Sequence, residues 1–170
     1  MPDAPERQTL IRAALLRKGL ADARHRTALG RRLGLTENEV LAVQHLARAG
    51  ELTPGQLGAL LQLSSGGTTA LIHRLQRAGH MTREAHPRDG RRAVVRQKPA
   101  LQERATEACA SLVAEIDARV EQLSESEGDA VLQFLESIAD AAARHADRLA
   151  ADADATAREA LAVPLPALWA

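Results

Sequence analysis

The sequence predicts a mainly α-helical chain with one small β-hairpin: a winged helix-turn-helix with dimerisation helices on its N- and C-terminal sides. Three observations in the stretch Leu52 to Val95 carry this. Thr53-Pro54-Gly55-Gln56 is a helix start, with Thr53 as cap, proline at the first helical position and Gln56 completing a capping box. Leu57, Leu60 and Leu61, then Leu71, Ile72 and Leu75, form two apolar stripes at helical spacing, separated by Ser64-Ser65, which supplies a second N-cap. Gly79 suits the position just past a helix end. Met81–Glu84 and Ala93–Arg96 then read as short strands around His86-Pro87-Arg88-Asp89-Gly90-Arg91-Arg92, whose Pro, Asp and Gly give turn geometry.

The flanking elements follow from the same rules. Residues 2–8, polar with two prolines, are expected to fray. Thr9 to about His25 reads as a helix, with Leu10, Ile11, Ala14 and Leu15 on one face and Arg24, His25 and Arg26 at the cation-favouring end of its dipole. Arg31-Arg32-Leu33-Gly34 reads as a linker. Thr36-Glu37-Asn38-Glu39 is a capping box ahead of Val40, Leu41, Val43, Leu46 and Ala47, and Gly50 closes that helix. After Pro99, Leu101, Ala105, Ala108, Leu112, Ile116, Val120 and Leu123 step by three or four over about six turns. Ser124-Glu125-Ser126-Glu127 is a further capping box, opening a second long helix with Val131, Leu132, Leu135, Ile138, Ala139, Ala142 and Leu149 in its stripe. Two such helices form an antiparallel pair, and the simplest partner for their stripes is a second copy in a two-fold dimer. The competing arrangement is a monomeric bundle folded back on the winged unit. The expected organisation is therefore 1–34, N-terminal helix and linker; 35–98, winged helix-turn-helix; 99–150, C-terminal dimerisation helices; and 151–170, an acidic, proline-containing tail. In that tail Pro164 and Pro166 exclude an ordinary helix interior.

Net charge is zero, but its distribution is not even. Residues 1–63 carry nine Lys/Arg and six Asp/Glu, residues 64–104 nine and three, and residues 105–170 four and thirteen. A basic middle followed by an acidic end predicts one nucleic-acid-facing surface and one solvated surface. Phe134 and Trp169 are the only aromatics, so base-stacking recognition of single strands is excluded as a main mode. Cys109 is the single cysteine, which rules out an internal disulfide and fits a reducing compartment. There is no signal-like opening, and no apolar run approaches the ~18 residues of a membrane span, so a cytoplasmic protein is expected.

The chemistry-bearing residues concentrate in the second helix of the winged unit and in the wing. Ser64, Ser65, Gly66, Gly67, Thr68 and Thr69 are small and let backbone N–H groups and hydroxyls approach phosphates and groove edges. Thr69 suits contact with a thymine methyl. His73, Arg74 and Arg77 follow along the helix towards the duplex backbone. For Gly66-Gly67 the competing reading is a loosely formed first turn, since each glycine costs a helix roughly 1 kcal/mol relative to alanine. Arg88, Arg91 and Arg92 at a hairpin tip suit a minor groove or phosphate, with Asp89 placed to orient one of them. His25, His45, His73, His80, His86 and His145 show no metal-ligand spacing. Cys109 reads as an inert thiol near an apolar stripe, with no basic residue beside it in sequence. The chain has no P-loop, no dinucleotide-binding turn and no nucleophile elbow, so neither an enzyme nor a cofactor is expected.

This order of residues resembles the MarR family of bacterial transcription regulators, over roughly Leu33 to Leu149. The most specific parts are the Leu-Ser-Ser opening of the second helix, its Leu75-Gln76-Arg77-Ala78-Gly79 close, and Asp89-Gly90-Arg91-Arg92 in the wing. Gly66-Gly67, His73 and Gln97-Lys98-Pro99 depart from the family's usual residues. The resemblance implies that Asp89, Arg91 and Arg92 hold the hairpin and reach DNA, and that the terminal helices make a homodimer on a palindromic operator. It also implies a repressor released by a small-molecule effector between the DNA-binding unit and the dimer helices, a region that would take His25, His45 and Leu112. The alternative class is a winged-helix module that binds protein rather than DNA. That alternative predicts an apolar outward face on the second helix, where Thr, His and Arg stand instead.

Overall fold

The computed structural model describes residues 3–86 and 89–162; the side chains of residues 86, 90, 91 and 154–162 lie outside that description. The elements are α1 (Ala4–Leu33), α2 (Glu37–Ala49), α3 (Pro54–Leu61), α4 (Ser65–Arg77), β1 (Met81–His86), β2 (Asp89–Gln97), α5 (Pro99–Val120) and α6 (Glu125–Ala162). The chain divides into two compact units, Met1–Ser111 and Leu112–Ala170.

The first unit is built on two apolar clusters. Ala42 and Leu46 of α2, Leu57 of α3, Leu71, Ile72 and Leu75 of α4, Met81 of β1 and Val95 of β2 make one. Leu29 and Leu33 of α1, Val40 and Val43 of α2 and Leu101 of α5 make the other, and Leu35 packs against both. The two stripes of α2 thus face opposite clusters, which makes α2 the central support. Burial of these aliphatic side chains, each stabilising by about 1.5–3 kcal/mol, fixes where α3 and α4 stand.

Local signals place each end. At α3 the Gln56 N–H donates to Thr53 Oγ1 at 3.2 Å while the Thr53 N–H donates to Gln56 Oε1 at 2.8 Å, a closed capping box. The turn between α3 and α4 passes through Gln62 at φ 52°, a left-handed conformation on a non-glycine residue. Ser64 then caps α4 by accepting from the Gly67 N–H at 3.2 Å. Gly79, at φ 73°, reverses the chain after α4, and the His80 N–H donates to Leu75 O at 2.9 Å. The hairpin is antiparallel, pairing Met81 with Gln97 and Ala85 with Ala93, with a bulge before His86 pairs with Asp89. Leu52 adds a bridge to Val95, so the segment ahead of α3 is hydrogen-bonded to the wing. Arg96 spans the same junction, bonding Glu84 at 2.9 Å and also Glu51.

Several expectations are corrected. Residues 4–8 are helical rather than frayed: the Glu6 N–H donates to Asp3 Oδ1 at 2.8 Å, and Pro5 sits in the first turn, where no N–H is required. Arg31–Leu33 belongs to α1 rather than to a linker, because Leu29 and Leu33 are buried and Gly34 ends the helix. Leu60 is 49% exposed and does not share the buried face of Leu57. Each strand extends beyond its expected bounds. The tail residues 163–170, and with them Pro164, Pro166 and Trp169, fall outside the described residues.

In the second unit, Ser124 opens α6 with its N–H donating to Glu127 Oε2 at 2.9 Å and its hydroxyl to the same oxygen at 2.6 Å. Those bonds hold the Glu127 carboxyl below its usual pKa. α6 runs to Ala162, beyond the stripe expected to Leu149. Ile116, Val120, Val131, Leu132, Leu135 and Leu149 are exposed. Val120, Leu123, Val131, Leu132 and Leu135 line an apolar cleft of about 480 Å³ at the turn between the two helices. No helix among the described residues is long and apolar enough to cross a membrane.

Candidate nucleic-acid interface

α4 has one buried face and one open face. Thr68, Leu71, Ile72 and Leu75 are buried. Ser65, Gly66, Thr69, Ala70, His73 and Arg77 are exposed, and steps of three and four residues bring them to one side of the helix. Of the residues predicted from sequence, the structure therefore groups Ser65, Gly66, Thr69, His73 and Arg77. Ala70, missed in the sequence reading, stands among them; its spacing of four from Gly66 and three from His73 was the available signal.

The other predicted residues of this helix have internal work. Ser64 is the N-cap. The Thr68 hydroxyl donates to Ser64 O at 2.9 Å and turns towards α3, withdrawn from the open face. Gly66 and Gly67 differ: a Cβ on Gly66 would meet nothing within 4 Å, whereas one on Gly67 would stand 3.3 Å from Ser64 Oγ and 3.8 Å from Leu63 Cβ. Gly66 is therefore the open glycine, and the small size of Gly67 serves the turn.

Arg74 is engaged within the protein. Its Nε donates to Glu39 Oε1 at 2.6 Å and its Nη2 to Thr36 Oγ1 at 3.2 Å. Glu39 is buried, and Thr36 donates to its Oε2 from both N–H (2.7 Å) and Oγ1 (2.8 Å). Burial pushes the Glu39 pKa up, but the Thr36 N–H, the Arg74 guanidinium and the Thr36 hydroxyl together outweigh it and hold the carboxyl below its usual range.

On the wing, Arg92 is exposed, with its Nε 3.9 Å from Asp89 Oδ2. Arg92 also lines a cleft of about 220 Å³ with Glu51, Thr53 and Gln56, beside the start of α3. Arg83 on β1 is a further exposed cation that the sequence reading did not select. Arg88 lies outside the described residues; Arg91 is in β2, its side chain outside the description. The open face of α4 and the Arg92 edge of the wing are both presented by the first unit, held by the Leu52–Val95 bridge and by the packing of α4 on α2 and α3.

The residues expected near an effector fall on three different elements. His25 on α1 is half-buried, with Nε2 3.8 Å from Cys109 Sγ on α5. Cys109 thus has a basic neighbour in space that its sequence surroundings did not reveal. His45 is half-buried on α2, and Leu112 is exposed at the start of the second unit. Among the described residues, no group of three or more His, Cys, Asp or Glu converges as a metal site.

Helix, turn, recognition helix and β-wing in this order define a winged helix-turn-helix protein. Residues 33–92 match the sequence pattern of the MarR family. An uncharacterised HTH-type transcriptional regulator of Bacillus subtilis, YcgE, is 41% identical over 68 residues, which cover 40% of this chain and 44% of that protein. The match therefore spans less than half the length of that curated relative. A MarR family protein from Bacillus stearothermophilus has the same fold, with a TM-score of 0.60 at 21% identity, over 81% of this chain and 97% of that one. NadR, solved in complex with 4-hydroxyphenylacetate, aligns with a TM-score of 0.58 at 19% identity, over 76% of this chain and 92% of its own. Residues 33–92 are thus similar to the MarR family of transcription regulators, and the chain shares the fold of solved proteins of that family.

Proposed function

We propose that this chain is a homodimeric, sequence-specific double-stranded DNA-binding transcription regulator, a repressor acting on a palindromic operator in the cytoplasm. One observation carries the reading. The exposed side of α4 combines small residues that admit close approach (Ser65, Gly66, Thr69, Ala70) with His73 and Arg77, while its opposite side is anchored in the core. A helix built this way lies in a major groove, with Arg92 of the wing reaching the adjacent backbone or minor groove. Arg88 and Arg91 join it by their place in the sequence. The face is polar and basic, unlike the apolar face that a protein-binding winged helix would need.

Dimerisation is supported by the exposed apolar stripes of α5 and α6 and by Leu10, Leu16 and Leu20 on α1. Release by a small effector is supported by NadR, a protein of the same fold with 4-hydroxyphenylacetate bound. The test is duplex binding as a function of salt. A bound regulator loses affinity steeply between ~50 and ~200 mM salt as phosphate-condensed counterions are released. Flat affinity over that range would exclude DNA as the partner.

A further inference from the structure

Arg74 is one of the cations along α4, yet its guanidinium is turned away to α2. It bonds Glu39 at 2.6 Å and Thr36 at 3.2 Å, across 35 and 38 residues of sequence. Glu39 is 4% exposed, and its second oxygen is taken by the N–H and hydroxyl of Thr36. Both carboxylate oxygens are occupied, two of the guanidinium nitrogens have partners, and the Arg74 side chain stays half exposed.

Its location on the helix gives this network a consequence. Arg74 follows His73 by one residue, about 100° round the helix. It therefore stands at the seam between the open face (Gly66, Thr69, Ala70, His73, Arg77) and the buried face (Thr68, Leu71, Ile72, Leu75). Ala42 and Leu46 of α2 share one buried cluster with Leu71, Ile72 and Leu75 of α4, and such aliphatic packing has no direction. Aliphatic side chains tolerate a small roll of one helix on another; a charged hydrogen bond to a buried, doubly anchored carboxylate does not.

We propose that Arg74 is a positioning residue: with Glu39 and Thr36 it sets the rotation of the recognition helix, and so decides which edges Thr69 and His73 meet in the groove. This rests on the proposed DNA-binding function. Arg74 then makes no phosphate contact, although its charge and place in the sequence suggest one.

The two roles predict opposite effects of Glu39→Gln, a nearly isosteric change that removes the charge and one of the two acceptor oxygens shared by Arg74 and Thr36. The experiment measures binding of the full chain to its selected duplex and to a scrambled duplex of equal length over a salt series. The proteins are the unmodified chain, Glu39→Gln, Arg74→Gln and the double variant. Positioning predicts that each single variant loses about tenfold in specific affinity. It also predicts a flattened preference at the bases under Thr69, unchanged binding to the scrambled duplex and an unchanged salt slope, with the double variant no worse than either single one. Arg77→Gln is the control for a phosphate contact, with a salt slope reduced by about one and base preferences kept. If Arg74→Gln behaves like Arg77→Gln, or Glu39→Gln tightens binding, the proposal is overturned. Should Arg74→Gln fail to fold, Glu39→Gln decides alone, by the sign of its effect. No preference for any duplex in the unmodified chain would overturn the DNA-binding reading itself, and the positioning role with it.

Discussion

Gly58 of α3 faces Thr68 of α4 so closely that a Cβ on Gly58 would stand 2.6 Å from Thr68 Oγ1. That hydroxyl is already committed, donating to Ser64 O at 2.9 Å, and threonine has little freedom at χ1. Gly58→Ala is therefore expected to destabilise the fold by about 1–3 kcal/mol through overpacking, although alanine is the better helix former. Thr68→Ala in the same chain removes the obstacle and restores most of the loss. Urea denaturation of both single variants and the pair measures this coupling. Additive losses in the pair would show that the two residues do not meet.

Acid should weaken the first unit through Glu39. Its carboxyl is held below the usual value of 4.5 in the folded chain, so its contribution is fully present above that value and is lost as pH falls through the lowered folded pKa. Arg74 is half exposed, which screens the pair and limits the effect to about 1 kcal/mol. Glu39→Gln should lower stability at neutral pH and flatten its dependence below about pH 5. Parallel acid profiles for the two proteins would show that Glu39 titrates alike in the folded and unfolded chains.

The wing and the recognition helix should divide their tasks. Arg92 is exposed at the hairpin and Thr69 on the open face of α4. Arg92→Ala is expected to weaken binding to many duplexes alike and to reduce the salt slope by about one. Thr69→Ala should alter preference at one position of each half-site by about 1–3 kcal/mol. Binding of both variants across a panel of single-base site changes checks this. The division is wrong if Arg92→Ala changes the order of preference while Thr69→Ala leaves it intact.

The apolar stripes of α5 and α6 predict a dimer. Sedimentation should give about twice the chain mass of 18.2 kDa. Leu135→Glu, which puts a charge in the middle of the exposed α6 stripe, should shift the population towards monomer and weaken duplex binding without changing helical content. A monomer at micromolar concentration in the unmodified chain would remove the two-fold reading.

Much of this architecture was legible in the residues. Thr53, Ser64 and Gly79 marked the ends of α3 and α4 because caps and left-handed turns use few residue types. Thr69, His73 and Arg77 fell on one face because helical periodicity is a local property. What sequence did not reveal was long-range. The Arg74–Glu39 bond spans 35 residues, the Cys109–His25 approach 84, and the Arg96 junction with Glu51 45. Thr68 was read as groove-facing because its residue type suits either side, and only the packing of α3 decides. α1 is longer at both ends than the sequence predicts, because two prolines suggest a frayed start and the cations Arg24, His25 and Arg26 suggest a helix end, whereas Asp3 caps the start and Leu29 and Leu33 are buried beside Val40 and Val43 of α2.

The account stands most directly on one selection. The 170-residue chain, incubated with a pool of random-sequence duplexes at physiological salt and carried through repeated rounds of capture, should enrich a single palindromic site. Its half-sites should be centred about 10 bp apart, one turn of the duplex, as two symmetric recognition helices require. A pool that remains random, or that converges on a site with no two-fold symmetry, would contradict a dimeric reader of double-stranded DNA.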